Sequence, residues 1–287
     1  MTATAANRRT IIGLALRILT YVVLAFAGMW VFPGILAAAF GGYLISSAVG
    51  VFLAAVIANG LVMRIFERAS LADLGLGWNP ASVRNLLLGL VGGTGAACVV
   101  LAGPVAFRLA DFQAIPGAEP HWRTVLFVVV ILVFGAVGEE MLFRGYAFQA
   151  LLSKAGPFAT ILPFGILFGL AHQLNPGVST LAVCNTAAWG ILLGYAFLRS
   201  LDLWLPIGLH LGWNWALPLF GVNLSGFTMD VTGYALHWNV GPLWSGGSYG
   251  PEGGILTTGI VALLFLYLWK APVRRQSPLL VRGPAED

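Results

Sequence analysis

Five ionisable side chains stand in the otherwise apolar sequence between residues 124 and 220: Glu139, Glu140, Arg144, His172 and His210. In lipid each costs at least about 2.5–3.5 kcal/mol near a helix centre. One such residue could be structural, but five on successive apolar segments point to a shared polar site. Glu140 and Arg144 are four residues apart and share a helical face, with the acid on the N-terminal side as such pairs prefer. A buried arginine keeps its charge and keeps its carboxylate partner ionised. Glu139 is rotated by about 100° from Glu140 and is left without a cation. A carboxylate so placed is suited to take a proton from water.

The histidines have i,i+4 partners of their own. Phe168 shares a face with His172, and His210 shares one with Asn214. The Asn214 amide and the His210 ring N–H are donors suited to holding an oxyanion. His172 could orient the water that Glu139 deprotonates. Taken singly, each group has a plainer role. A lone histidine on an apolar helix bonds a backbone carbonyl, a Glu–Arg pair is a buried structural lock, and an asparagine joins neighbouring helices. Their joint occurrence, with Glu139 unpaired, favours a hydrolytic centre. His121 and His237 fall in loops and are expected to be interfacial.

These residues need apolar elements to position them, and the composition supplies little else. The 287 residues are 59% hydrophobic and 9% charged, against about 25% charged in soluble domains. So few charges cannot clothe a water-facing surface, and the net charge of +4 comes from residues at segment ends rather than from a nucleic-acid-binding patch. With roughly 20 residues needed per crossing, the expected fold is all-α. It is a polytopic bundle of about eight spans near 11–31, 43–63, 85–107, 124–152, 157–172, 178–198, 203–220 and 254–269. Eleven lysines and arginines, from Arg8 to Arg282, fall on one side of that topology, and only Arg108 and Arg123 on the other. This bias predicts both termini inside. Arg17, within the first span, is expected to snorkel to the interface. The stretch after Arg8 and Arg9 is too long for a signal-peptide core, so an uncleaved first helix is expected, although Ala37-Ala38-Ala39 is a conceivable cleavage site. Cys98 and Cys184 lie in apolar runs and imply neither a disulfide framework nor a CxxC site. Residues 1–287 are expected to form one integral membrane domain, with loops 108–123 (Pro116, Pro120) and 221–253 outside. Gly165/Gly169 and Gly190/Gly194 have the spacing of close helix contacts.

Glu139-Glu140-Met-Leu-Phe-Arg144, Phe168-xxx-His172 and His210-xxx-Asn214 resemble the three motifs of the CPBP family. That family comprises type II CAAX prenyl endopeptidases and bacteriocin-processing or immunity relatives, also called Abi proteins. All three motifs occur in order within 76 residues, and the resemblance covers roughly 124–220 as a catalytic core. It implies an intramembrane endopeptidase of a bacterial cytoplasmic membrane, acting on a peptide or protein presented at the bilayer. Carried onto this chain, Glu139 would activate water with His172, and His210 with Asn214 would stabilise the oxyanion. Glu140 and Arg144 would be scaffolding, with Phe168 in support.

Cofactor use stays open. Glu139, His172 and His210 are a zinc set by type, and such relatives are often called metalloproteases. Zinc would consume the groups that a glutamate-and-water route needs, and HExxH is absent, so metal-free chemistry is the expectation. A proton- or cation-coupled transporter using Glu139 and His172 as a relay, or a protease-like scaffold, are the competing classes. On straight helices Glu139, His172 and His210 would sit at different depths unless strong tilt or a break near Gly145 or Pro163 intervened.

Overall fold

Apolar runs this long fold as helices because every backbone N–H and C=O must find its partner within the segment once water is excluded. The computed structural model describes residues 3–119 and 121–281, with side chains from Ile11 onward; Pro120, Arg282 and the side chains of Arg8 and Arg9 lie outside the described residues. Its helices are α1 (Ala3–Phe40), α2 (Tyr43–Val62), α3 (Pro80–Ala106), α4 (Trp122–Arg144), α5 (Tyr146–Ala171), α6 (Thr180–Ser200), α7 (Trp204–Leu219), the short α8 (Pro242–Ser245) and α9 (Ile255–Lys270). Five stretches are long and apolar enough to cross a membrane: Ile11–Phe40, Tyr43–Glu67, Pro80–Ala106, Trp122–Ala171 and Thr180–Ser200. Trp30, Phe107 and Phe158 are each more than three-quarters exposed, as lipid-facing side chains are. The chain is an all-α, polytopic membrane bundle.

The 50-residue stretch Trp122–Ala171 contains the main departure from straight helices. Gly145 (φ −75°, ψ −141°) separates α4 from α5, within the span expected at 124–152. The carbonyls and amide freed there are taken by side chains from other elements. Asn59 of α2 donates to Met141 O at 3.0 Å and accepts from Tyr146 N at 2.8 Å. Tyr21 of α1 donates to Leu142 O at 2.8 Å, and Gln149 donates to Arg144 O at 3.0 Å. The break therefore leaves few orphaned backbone groups in the apolar interior.

Eleven residues further on, Gly156 adopts φ 82°, a left-handed conformation open to glycine, and Pro157 starts a second arm. The arms run back along each other: Phe148 meets Phe164 at 5.3 Å and Phe143 meets Phe168 at 5.0 Å between ring centroids. Counted from Gly156, Glu139 lies seventeen residues before the turn and His172 sixteen after it. They are level, with the break at Gly145 as the departure from straight helices.

α7 is set by α3. The two run parallel with their backbones in contact, at Gly89 and Gly93 on one and Gly208 and Gly212 on the other. A methyl group at Gly93 would lie 2.7 Å from Trp213 N, and one at Gly212 3.0 Å from the Leu90 Cα. Small residues four apart permit such approach. His210 lies two residues from each α7 glycine, roughly 200° around the helix, and so faces away from α3 toward α4. The Gly165/Gly169 and Gly190/Gly194 spacings serve a similar approach between α5 and α6, where Gly190 meets Gly165.

Two details go beyond the sequence expectations. Arg17 Nη1 pairs with Glu67 Oε1 at 2.9 Å. The loops 108–123 and 221–253 contain a two-stranded antiparallel sheet, β1 (Ala110–Ala114) with β2 (Tyr234–Trp238), in the register Phe112↔Leu236.

Candidate active site

Glu140 and Arg144 occupy the last turn of α4 and are wholly buried. Arg144 Nη1 donates to Glu140 Oε1 at 3.1 Å and Nη2 to Gly190 O at 2.7 Å, with the guanidinium 4.9 Å above the Phe168 ring centroid. Glu140 Oε1 also receives His210 Nδ1 at 2.9 Å. One carboxylate oxygen thus links α4 to α7, while its arginine links α4 to α6.

The ring partners assign the histidine tautomers. A carboxylate held by an arginine only accepts, so His210 Nδ1 carries the hydrogen. His172, the C-cap of α5, bonds Phe168 O through Nδ1 at 2.8 Å, and a carbonyl likewise only accepts. Both rings therefore turn Nε2 toward the remaining acid. Glu139 Oε2 lies 4.0 Å from His172 Nε2 and 3.9 Å from His210 Nε2. It has no hydrogen-bond partner among the described residues. Glu139 keeps 29% of its side chain exposed and His172 17%, so a substrate can reach them.

Phe168 is the packing centre of this group. It lies between Arg144 and the two imidazoles, with His172 at 4.9 Å and His210 at 6.0 Å between centroids. Asn214, one turn beyond His210, borders the same cavity, and its amide makes no hydrogen bond to a described residue. The cavity measures about 780 Å³ and extends from Glu139, His172 and His210 to the apolar face of α1 at Phe26 and Met29. Glu139, Phe168, His172, His210 and Asn214 thus line one space, with Glu140 and Arg144 buried behind it in contact with His210 and Phe168.

By donor type Glu139, His172 and His210 suit zinc, and both rings carry the Nδ1 anchor usual for ligating histidines. Their spacing does not suit it. Ligands at 2.0–2.1 Å in a tetrahedron are about 3.3 Å apart, less than the separations here. Among the described residues no group of three His, Cys, Asp or Glu is placed to hold a metal ion.

A further acid borders the cavity. Glu252, in the Pro251–Gly253 turn, is 8% exposed. Burial pushes its carboxyl above the ordinary value, and hydrogen bonds from Ser225 pull it partly back. Nothing in the sequence marks it, since an acid in a polar, glycine-rich loop is ordinary.

Residues 121–216 match the family model described as type II CAAX prenyl endopeptidase Rce1-like. The match starts at the N-cap of α4 and ends within α7, a third of the chain that includes all three motifs. No curated protein and no solved structure matches the chain.

Proposed function

We propose that this chain is an intramembrane endopeptidase whose base is Glu139, a reading supported by the match of residues 121–216 to the Rce1-like family model of type II CAAX prenyl endopeptidases. The supporting observation is the convergence of two imidazole Nε2 atoms, 4.0 and 3.9 Å away, on a carboxylate oxygen with no hydrogen-bond partner among the described residues. Those separations are too long for direct hydrogen bonds and short enough for one bridging water.

In the proposed reaction Glu139 takes a proton from that water while His172 Nε2 accepts a hydrogen bond from the hydrogen that stays and aims the oxygen. The resulting hydroxide adds to the scissile carbonyl carbon, and the C=O electron pair becomes an oxyanion. Asn214 Nδ2 donates to this oxyanion. His210 Nε2 can do so only when protonated, so His210 acts as an imidazolium with Glu140 as counter-ion across the ring, a carboxylate–imidazole arrangement familiar from serine hydrolases. The intermediate collapses as the C–N bond breaks, and the departing amine takes the proton held by Glu139. Water is added across the peptide bond, giving a carboxylic acid and an amine. No step uses a metal.

The substrate is a peptide or protein segment presented at the bilayer, with its apolar part lying along the α1 side of the cavity. We place both termini on the cytoplasmic side from the charge bias. Glu139→Gln protein, purified and folded, should lose cleavage of an internally quenched membrane-associated peptide. Wild-type rates in that variant would sink the mechanism.

A further inference from the structure

Glu252 borders the cavity, yet it is not free to do chemistry. Its Oε1 accepts Trp213 Nε1–H at 3.2 Å. Its Oε2 accepts the Ser225 backbone N–H and, at 2.9 Å, the Ser225 hydroxyl. The turn that carries it is fixed to α6, because Asn185 Nδ2 donates to Glu252 O at 2.8 Å and to Gly254 O at 2.9 Å. The carboxyl group is therefore anchored from behind and occupied in front.

What it occupies is informative. Trp213 lies between His210 and Asn214 on α7 and packs at a tilt against Trp189 of α6, 4.9 Å between ring centroids. Ser225 is bound from the other side too: Asn175, three residues after His172, donates from Nδ2 to Ser225 O at 3.0 Å. The Ser225 backbone has φ 49°, a conformation that a non-glycine residue holds only where its surroundings over-determine it. The adjacent Gly226 N donates to Tyr249 O at 2.8 Å. A continuous chain of hydrogen bonds thus runs from Asn175 through Ser225 and Glu252 to Trp213.

We infer that Glu252 is a positioning residue: with Ser225 as keystone, it straps the His172 end of α5 to the His210–Asn214 turn of α7 across the loop-side mouth of the cavity. This inference rests on the endopeptidase reading above. The two imidazoles come from different helices, and their common distance to Glu139 depends on how those helices are held together. Small misplacements of reacting groups cost rate steeply. Trp213 Nε1 and Ser225 N can only donate, and they address different oxygens, so a glutamine at 252 can satisfy only one of them.

The test uses full-length protein in nanodiscs with an internally quenched farnesylated peptide as probe. Glu252→Gln should speed amide exchange across residues 222–229 by about tenfold or more and lower kcat by about tenfold or more, with KM changed less than about threefold. Trp213→Phe, which removes the indole N–H and keeps most of the ring, should shift both readouts in the same direction. The double variant should be no worse than Glu252→Gln alone, because the two share one contact. Unchanged exchange, faster exchange with unchanged kcat, or additive effects would each overturn the strap. If Glu252→Gln does not fold, Trp213→Phe alone decides by the same two readouts. Failure of the endopeptidase reading looks different: Glu139→Gln then cleaves the probe as well as wild type, whatever residue 252 is.

Discussion

Glu140 and His210 are joined, Oε1 to Nδ1, at 2.9 Å, and through this contact the second glutamate serves a histidine as well as Arg144. The sequence pairs Glu140 with Arg144 alone, by spacing. In the fold the same oxygen fixes the tautomer of His210 and turns its Nε2 toward Glu139. The adjacent glutamates therefore act at opposite sides of one imidazole.

Glu140→Gln should be costly to the fold as well as to the reaction. It leaves the wholly buried Arg144 guanidinium without its counter-charge, a loss of about 3–5 kcal/mol for a broken buried pair. Thermal unfolding in detergent should show a large drop, partly recovered in Glu140→Gln/Arg144→Met. Unfolding at the wild-type temperature would contradict the lock.

Asn214→Ala should behave differently. The amide bonds no described residue, so its loss should leave unfolding nearly unchanged. It should lower kcat by about 10²-fold or more, the scale of one lost oxyanion donor. An effect on KM alone would reassign Asn214 to substrate binding.

Chelation tests the metal-free route. Protein dialysed against a strong chelator should keep its activity, with no stoichiometric zinc by elemental analysis. Stoichiometric metal whose removal abolishes cleavage, and whose return restores it, would replace Glu139 as base with a metal-bound water.

Glu252 should leave a mark on the pH dependence of stability. Its carboxyl titrates above the ordinary value of 4.5 because it is buried. The folded chain therefore holds this proton over a range where the unfolded chain has lost it. Stability from this group is full below pH 4.5 and declines as the pH climbs through the raised value. Unfolding temperatures of wild type and Glu252→Gln, compared from about pH 4 to pH 8, should converge upward in pH. Parallel curves would contradict it.

The motif residues were legible because a charge in an apolar run is conspicuous, whatever the fold around it. Glu252 and Ser225 were not, because polar residues are ordinary in a glycine-rich loop and their importance comes from what folds against them. Asn59 and Gln149 sit in or beside apolar runs as uncharged amides, and their task arises only once α4 breaks at Gly145. The glycine spacing is visible at Gly165/Gly169 and Gly190/Gly194, while Gly89 and Gly93 acquire meaning only through α7, more than a hundred residues away. The relative depth of Glu139 and His172 stays open in the sequence because helix ends are imprecise, and the turn at Gly156 supplies the reference point.

That turn has a consequence for how the protein tolerates change. With Gly156 as origin, the two arms form a gauge on which Glu139 and His172 are opposing marks. A single inserted residue in either arm would shift its mark by 1.5 Å and rotate it by about 100°, whereas lipid-facing substitutions such as those at Phe158 would leave both marks in register. Length between residues 139 and 172 should therefore be guarded far more strictly than composition.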